Sequence, residues 1–387
     1  MSSIHVMAKP SSSKCNIDCE YCFYLEKEKL YPDASDFRMS DEVLEAYISQ
    51  TISQQKGKKH YEFSWQGGEP TLLGLDFFKK ALQLQRNLAG STPCVNSLQT
   101  NGILLNTEWA EFLAKHRFLV GVSIDGNQQH HDTYRKTRTG KGTHERVLKA
   151  INLLKRHKVE FNAMVVVHQA NVHDPLGVYN ALKSYGIHHI QLTPLVERQA
   201  REIPDDNLIL VSPAYSAAAD VARWSVGAKE YGQFLCDLFD AWKARDFGKI
   251  FIYNFESTLT MKAGLPGNSC ITAETCGNAV ALESNGDVYS CDHFVYPEHK
   301  LGNIMAEPLA ELAESQQLKT FGLNKKSDRS VDCNDCRFLS ICNGGCPKHR
   351  FLISSDGQRN KNYLCDAYKM YFSHTEKFMD FVLSKLN

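Results

Sequence analysis

An excess of charge of either sign is missing from this chain. Its 44 Lys and Arg are matched by 44 Asp and Glu over 387 residues, so no broad basic surface calls for nucleic acid or an anionic membrane. No apolar run is long enough to span a bilayer. The opening residues, Met1-Ser2-Ser3-Ile4-His5-Val6, contain no charged region leading into an extended apolar core, so no secretory leader is expected. Internal repeats and low-complexity tracts are absent as well. These absences predict a cytoplasmic protein with neither nucleic-acid nor membrane partners. The length exceeds that of a usual single domain and predicts one large domain and one smaller one.

Cysteine, by contrast, is plentiful. Thirteen cysteines in a long chain without an export signal point to metal or redox chemistry rather than to disulfides. Three lie near the N-terminus and eight between Cys270 and Cys365. Cys94 and Cys236 stand apart and read as ordinary buried thiols.

The N-terminal three form Cys15-x3-Cys19-x2-Cys22, with Tyr21 before the last. Most [4Fe–4S] clusters take four cysteines, so three thiolates on one short loop leave one iron open to a small molecule. A zinc knuckle is the other reading, although three cysteines without a nearby histidine make a poor closed zinc site. The triad resembles the signature of the radical S-adenosylmethionine (SAM) enzymes, in which the open iron binds SAM.

The first half of the chain alternates strand-like and helix-like segments. Strands are expected at Ile4–Lys9, His60–Gln66, Val95–Thr100, Phe118–Asp125, Glu160–Val167 and His188–Leu195. Helices are expected from Ser40 to about Gln54, then at Phe77–Leu88, Thr107–Lys115, His144–His157 and Leu176–Tyr185. Six βα units in series imply an α/β fold with a parallel sheet. Their spacing suits a partial (β/α)6 barrel, with its chemistry at the C-terminal ends of the strands. Arg198–Asp206 looks linker-like. Beyond it come a helix at Tyr231–Arg245, a short strand at Lys249–Asn254, and a hairpin within Val280–Cys291 turning at Asn285-Gly286. A thiol-rich, loop-rich segment from Cys333 then leads into a helix from about Asp366 to Leu386. The expected domains are residues 1–225, the barrel, and 226–387, a small loop-rich, thiol-rich domain with the C-terminal helix.

Trp65-Gln66-Gly67-Gly68-Glu69-Pro70 follows the second strand. Its glycines allow backbone groups to approach a ligand closely, and it resembles the GGEP motif of radical-SAM enzymes. The resemblance assigns SAM contacts to Gln66, Gly67, Gly68 and Glu69. It adds Gln99, Ser123 and Leu195 at further strand ends, and Tyr21 beside the cluster. Either Arg135 or Arg146 would pair with the SAM carboxylate, and the residues alone leave that choice open.

The eight later cysteines run Cys270-x5-Cys276-x14-Cys291, then Cys333-x2-Cys336-x5-Cys342-x3-Cys346-x18-Cys365. Eight thiolates suffice for two fully ligated sites, of iron–sulfur clusters or of zinc. The pattern resembles the SPASM domain of peptide- and protein-modifying radical-SAM enzymes. That resemblance gives Cys270, Cys276, Cys291 and Cys346 to one auxiliary [4Fe–4S] cluster. It gives Cys333, Cys336, Cys342 and Cys365 to the other, so that with the N-terminal site the cofactors are three [4Fe–4S] clusters and SAM.

Trp-Gln-Gly-Gly-Glu-Pro, Leu-Gln-Thr-Asn-Gly at 98–102, Glu160-Phe161-Asn162, Cys291-Asp292-His293 and Cys342-Asn343-Gly344-Gly345-Cys346-Pro347 together resemble the anaerobic sulfatase-maturating enzymes. The resemblance implies oxidation of a Cys or Ser of a sulfatase to Cα-formylglycine, with Asp292 as the base that deprotonates the target. It implies an unfolded or nascent sulfatase segment as partner, and a flavodoxin- or ferredoxin-type electron donor. A peptide-crosslinking maturase and a non-catalytic metal-binding scaffold are the alternatives.

Overall fold

The computed structural model describes residues 4–31, 37–204, 207–267 and 269–385. The six expected strands form, as β1 (His5–Lys9), β2 (Tyr61–Trp65), β3 (Cys94–Thr100), β4 (Leu119–Ser123), β5 (Phe161–Val167) and β6 (His189–Pro194). They pair in parallel, each beside the next in sequence. The connecting helices begin where local chemistry satisfies their free N–H groups. Ser40 accepts from Val43 N at 3.3 Å, Asn106 from Trp109 N at 3.0 Å, and Asp174 from Gly177 N at 2.9 Å. Trp65, Phe78, Phe63 and Tyr47 are fully buried between sheet and helices, packed edge to face.

The sheet continues past both ends of this set. Beyond β6 lies β7 (Phe251–Ile252). Beside β1 lies β8 (Ala279–Glu283), parallel and in register from His5 opposite Ala279 to Lys9 opposite Glu283. The antiparallel strands β9 (Asp287–Tyr289) and β10 (Lys300–Asn303) complete ten strands in the order β7-β6-β5-β4-β3-β2-β1-β8-β9-β10. Because β7 and β10 do not meet, the barrel is partial. The turn at Asn285-Gly286 forms as expected, with Gly286 at φ +91° and its N–H on Glu283 O at 3.0 Å.

Two expectations were altered. The strand at Lys249–Asn254 shrinks to β7, and a helix begins at Tyr253 (Tyr253–Lys262). The Asn254 amide explains this: it pairs with both N and O of Leu192 at 2.9 Å, doing by side chain what a further strand residue would do by backbone. The linker-like stretch instead starts as a strand, Arg198–Ala200, antiparallel to Ala219–Val221. It is anchored by the buried Arg198 guanidinium, which donates to the carbonyls of Ser212, Pro213 and Tyr215. Asp205 and Asp206 lie outside the described residues, as does Leu386 at the end of the C-terminal helix, which runs Cys365–Leu383. That helix packs on Ala228–Arg245, where Gly232 lets the backbones close up; a Cβ there would stand 3.0 Å from Ala367 Cα.

Candidate active site

The cysteine loop leaves the C-terminal end of β1. Ile17–Cys19 forms a short strand antiparallel to Arg135–Thr137, which sets Cys19 opposite Arg135. Cys22 N bonds to Cys19 O at 2.9 Å and tightens the turn. Cys15 and Cys19 are buried and Cys22 is half-buried. Burial pushes the Cys15 thiol up to about 12 and raises Cys19 and Cys22, with Arg135 opposing this at the latter two. The three thiols lie close enough to feel one another's charge. Buried thiols of this kind ionise when a metal binds them, so the donor set fits a thiophilic iron cluster.

The Gly-Gly turn after β2 packs on this loop. Gly68 N donates to Ser12 O at 2.6 Å and Glu69 N to Lys14 O at 2.9 Å. Gly67 holds φ +126°, and a Cβ on Gly68 would sit 2.0 Å from Lys14 O. The close approach that the glycines permit here is to the backbone leading into Cys15. The Glu69 side chain is fully buried, not solvated. It accepts from Thr71 N at 3.1 Å, Thr100 Oγ1 at 2.7 Å and Asn101 N at 2.7 Å, riveting the end of β2 to the end of β3. Its carboxylate is thus spent inside the protein. Asn101 in turn donates to Asn16 Oδ1 at 2.7 Å and lies 3.6 Å from Cys15 Sγ.

Arg135 and Arg146 separate clearly. Arg135 is buried, gripping Asp125 through Nε at 2.7 Å and Nη2 at 3.2 Å. Asp125 also accepts from Tyr21 Oη at 2.6 Å and Val166 N at 3.0 Å. Burial works against its charge, but Arg135 and His168 hold its carboxyl well below the usual carboxylate range. Arg146 is exposed on the helix His144–Arg156 and donates to the Ile103 carbonyl at 3.4 Å. Of the two, the structure brings Arg135 to the cysteine loop. Ser123 and Leu195 are buried at the ends of β4 and β6, and Gln66 and Gln99 are half-buried at the ends of β2 and β3.

Asp292 lies just past the β8–β9 hairpin and pairs with Lys9, the last residue of β1. Burial raises its pKa, yet Lys9, His293 and Lys348 together outweigh that and keep it below the ordinary value. The Lys9 ammonium sits 3.8 Å above the Tyr24 ring, and the Tyr24 hydroxyl donates to the buried Glu283. Close by, Lys348 pairs with the buried Glu197 and lies 4.5 Å over the Phe23 ring, which packs 4.9 Å from His293. Sequence reasoning missed Lys9, Tyr24, Glu283, Glu197 and Lys348. A charged residue ending an apolar strand was the available signal for Lys9.

The later thiols fall into two groups. Cys346 interacts with Cys270, Cys276 and Cys291, while Cys342 interacts with Cys333, Cys336 and Cys365. Cys333, Cys336, Cys342 and Cys365 line one cavity. Burial pushes Cys276 up to about 11 and Cys342 up to about 12. Among the described residues no three His, Cys, Asp or Glu converge as the ligands of a single metal ion would.

The fold and cysteine loop define a radical SAM protein. The model of the radical SAM superfamily matches residues 10–182, and SPASM, an iron–sulfur cluster-binding domain, matches residues 270–337. The chain is 45% identical over 383 residues to the serine-type anaerobic sulfatase-maturating enzyme of Bacteroides thetaiotaomicron, covering 99% of this chain and 92% of that one. It is 34% identical to the cysteine-type enzyme of Clostridium perfringens, covering 97% and 96%. A solved structure of native anSMEcpe with bound AdoMet and Cp18Cys peptide superposes with a TM-score of 0.84 at 33% identity, covering 99% of both chains. This chain belongs to the anaerobic sulfatase-maturating enzymes.

Proposed function

We propose that the chain oxidises one Cys or Ser of a sulfatase segment to Cα-formylglycine without oxygen, and that Asp292 takes the proton from the target side chain. Cys15, Cys19 and Cys22 hold the cluster that SAM joins. Gln66, Gly67, Gly68, the Glu69 backbone, Ser123, Leu195, Gln99, Tyr21 and Arg135 line the space for SAM. The eight later cysteines hold the two auxiliary clusters in the groups described above. When bound, these cofactors supply one-electron chemistry, by which a hydrogen atom and then an electron leave the Cβ of the target.

The protein's own contribution is proton handling and shelter. A carbon-centred radical beside a thiol or hydroxyl becomes a far better reductant once that group has lost its proton. Asp292 is held in its ionised form by Lys9, so its carboxylate is the group that accepts this proton. Loss of hydrogen atom, proton and electron turns Ser directly into an aldehyde, and Cys into a thioaldehyde that water hydrolyses. The observation that carries this reading is the Asp292–Lys9 pair at the point where β1 and β8 both end. A flavodoxin- or ferredoxin-type protein is the proposed electron donor. Incubating the reduced, anaerobic enzyme with SAM and sulfatase-derived peptides carrying Cys or Ser should yield 5′-deoxyadenosine and formylglycine by mass spectrometry. A thioether-crosslinked product would point to the other class of SPASM maturase.

A further inference from the structure

Among the described residues, two buried cations near the later cysteines pair with no acid. Lys325, with no exposed surface, lies on the helix Gln316–Ser327; Arg350, 7% exposed, opens the strand Arg350–Ile353. Every hydrogen bond they donate ends on a backbone carbonyl. Lys325 Nζ reaches Cys270 O at 2.6 Å and Ile271 O at 2.9 Å. The Arg350 guanidinium reaches Lys325 O at 2.6 Å, Asn343 O at 3.1 Å, Gly344 O at 3.2 Å and Gly345 O at 3.3 Å.

Those last three residues are the whole link between Cys342 and Cys346, one from each thiol group. All three take left-handed backbone, at φ +49°, +73° and +64°. Consecutive left-handed residues are unusual and, at a non-glycine such as Asn343, strained. Here they turn successive carbonyls inward around one guanidinium, so the link between the two groups is coiled about Arg350. A Cβ on Gly344 would stand 2.8 Å from Arg350 Nη2.

Carbonyl dipoles solvate a cation but do not cancel it, and a buried unpaired charge is costly. The strongest electrostatic neighbours of Lys325 are Cys270, Cys276 and Cys346, together with Arg350. Those of Arg350 include Cys276 and Cys346 from one group and Cys333 and Cys342 from the other. No carboxylate is among them. As thiols these cysteines are neutral. As ligands they are thiolates, and four thiolates outweigh the positive charge of a [4Fe–4S] core, so each loaded site is a net anion.

We infer that Arg350 is a fixed counter-ion shared by both auxiliary clusters, seconded by Lys325 at the Cys270, Cys276, Cys291 and Cys346 site, and that the two cations raise the clusters' reduction potentials. This rests on the reading that the eight cysteines hold two clusters. The role is one of redox tuning: a cluster gains a negative charge when it accepts an electron, and a nearby buried cation favours that state.

The test uses the full chain with Cys15, Cys19 and Cys22 changed to Ala, so that only the auxiliary sites remain. Iron and sulfide are counted first, then midpoint potentials are read by titration followed with electron paramagnetic resonance. Arg350→Gln keeps amide donors without the charge and should move both clusters to more negative potential. Lys325→Gln should move mainly one. Arg350→Lys keeps the charge and should stay near the parent. Unchanged potentials at full iron, or equal shifts in Arg350→Gln and Arg350→Lys, would overturn the inference. If Arg350→Gln assembles no cluster, Arg350→Lys decides. Loading with parent-like potentials supports the counter-ion, and failure to load shows that only the shape of the cradle matters. A parent without iron would overturn the cluster reading itself, and the inference with it.

Discussion

Asp292 is paired with a cation, Lys9, that is itself buried against the Tyr24 ring. If its task is to accept a proton, Asp292→Asn keeps the shape and loses only that ability. SAM cleavage should continue, while formylglycine falls by about two orders of magnitude or more, the scale of general-base catalysis. Mass spectrometry of both products decides: near-normal formylglycine would remove Asp292 from the chemistry, and joint loss would make it a binding or structural residue. Asp125 is a carboxylate of the opposite kind, fully buried and saturated by Arg135, Tyr21 and Val166 N. Asp125→Ala strands the Arg135 charge, and breaking a buried pair costs about 3–5 kcal/mol. A clearly lowered denaturant midpoint for the purified protein is expected; an unchanged one would show that Arg135 finds another partner.

Among the elements, the Gly-Gly turn after β2 and the cysteine loop after β1 are in effect one unit. Gly68→Ala would drive a methyl into Lys14 O, an overpacking that typically costs about 1–3 kcal/mol. Relief requires moving the backbone that leads into Cys15. Iron at the N-terminal site and SAM cleavage should both be lost, with the iron of the other sites kept; iron analysis with 5′-deoxyadenosine measurement checks this. The six parallel strands were legible because each carries its own short set of apolar residues within a few positions. The pairing of β1 with β8 was not, because strands 270 residues apart announce nothing to one another locally. Likewise the helix Tyr253–Lys262 hid behind a strand-like start that only Asn254's grip on Leu192 explains. At the site, the cysteines and Gly-Gly turn stood out by spacing. Lys9, Glu283 and Arg350 did not, since a lone charged residue is usually a solvated one until its burial is seen.

For the molecule as a whole, the N-terminal thiols and the eight later ones sit on different parts of the chain. Changing Cys15, Cys19 and Cys22 to Ala should therefore abolish SAM cleavage and leave the iron of two clusters, about two thirds of the total for four-iron sites. Complete loss of iron would mean that the sites do not load independently. The same molecule nevertheless shares one sheet, in which β1 sits between β2 and β8. On the ribosome, β2 emerges soon after β1, but β8 follows only when some 270 residues more have been built. Until then one edge of β1 is an open ladder, a template for wrong partners of the kind that slow-forming, long-range pairings expose. A chain stopped before residue 279 would be released with that edge uncovered and Lys9 without Asp292, so the barrel's first strand waits on the last third of the protein to be completed.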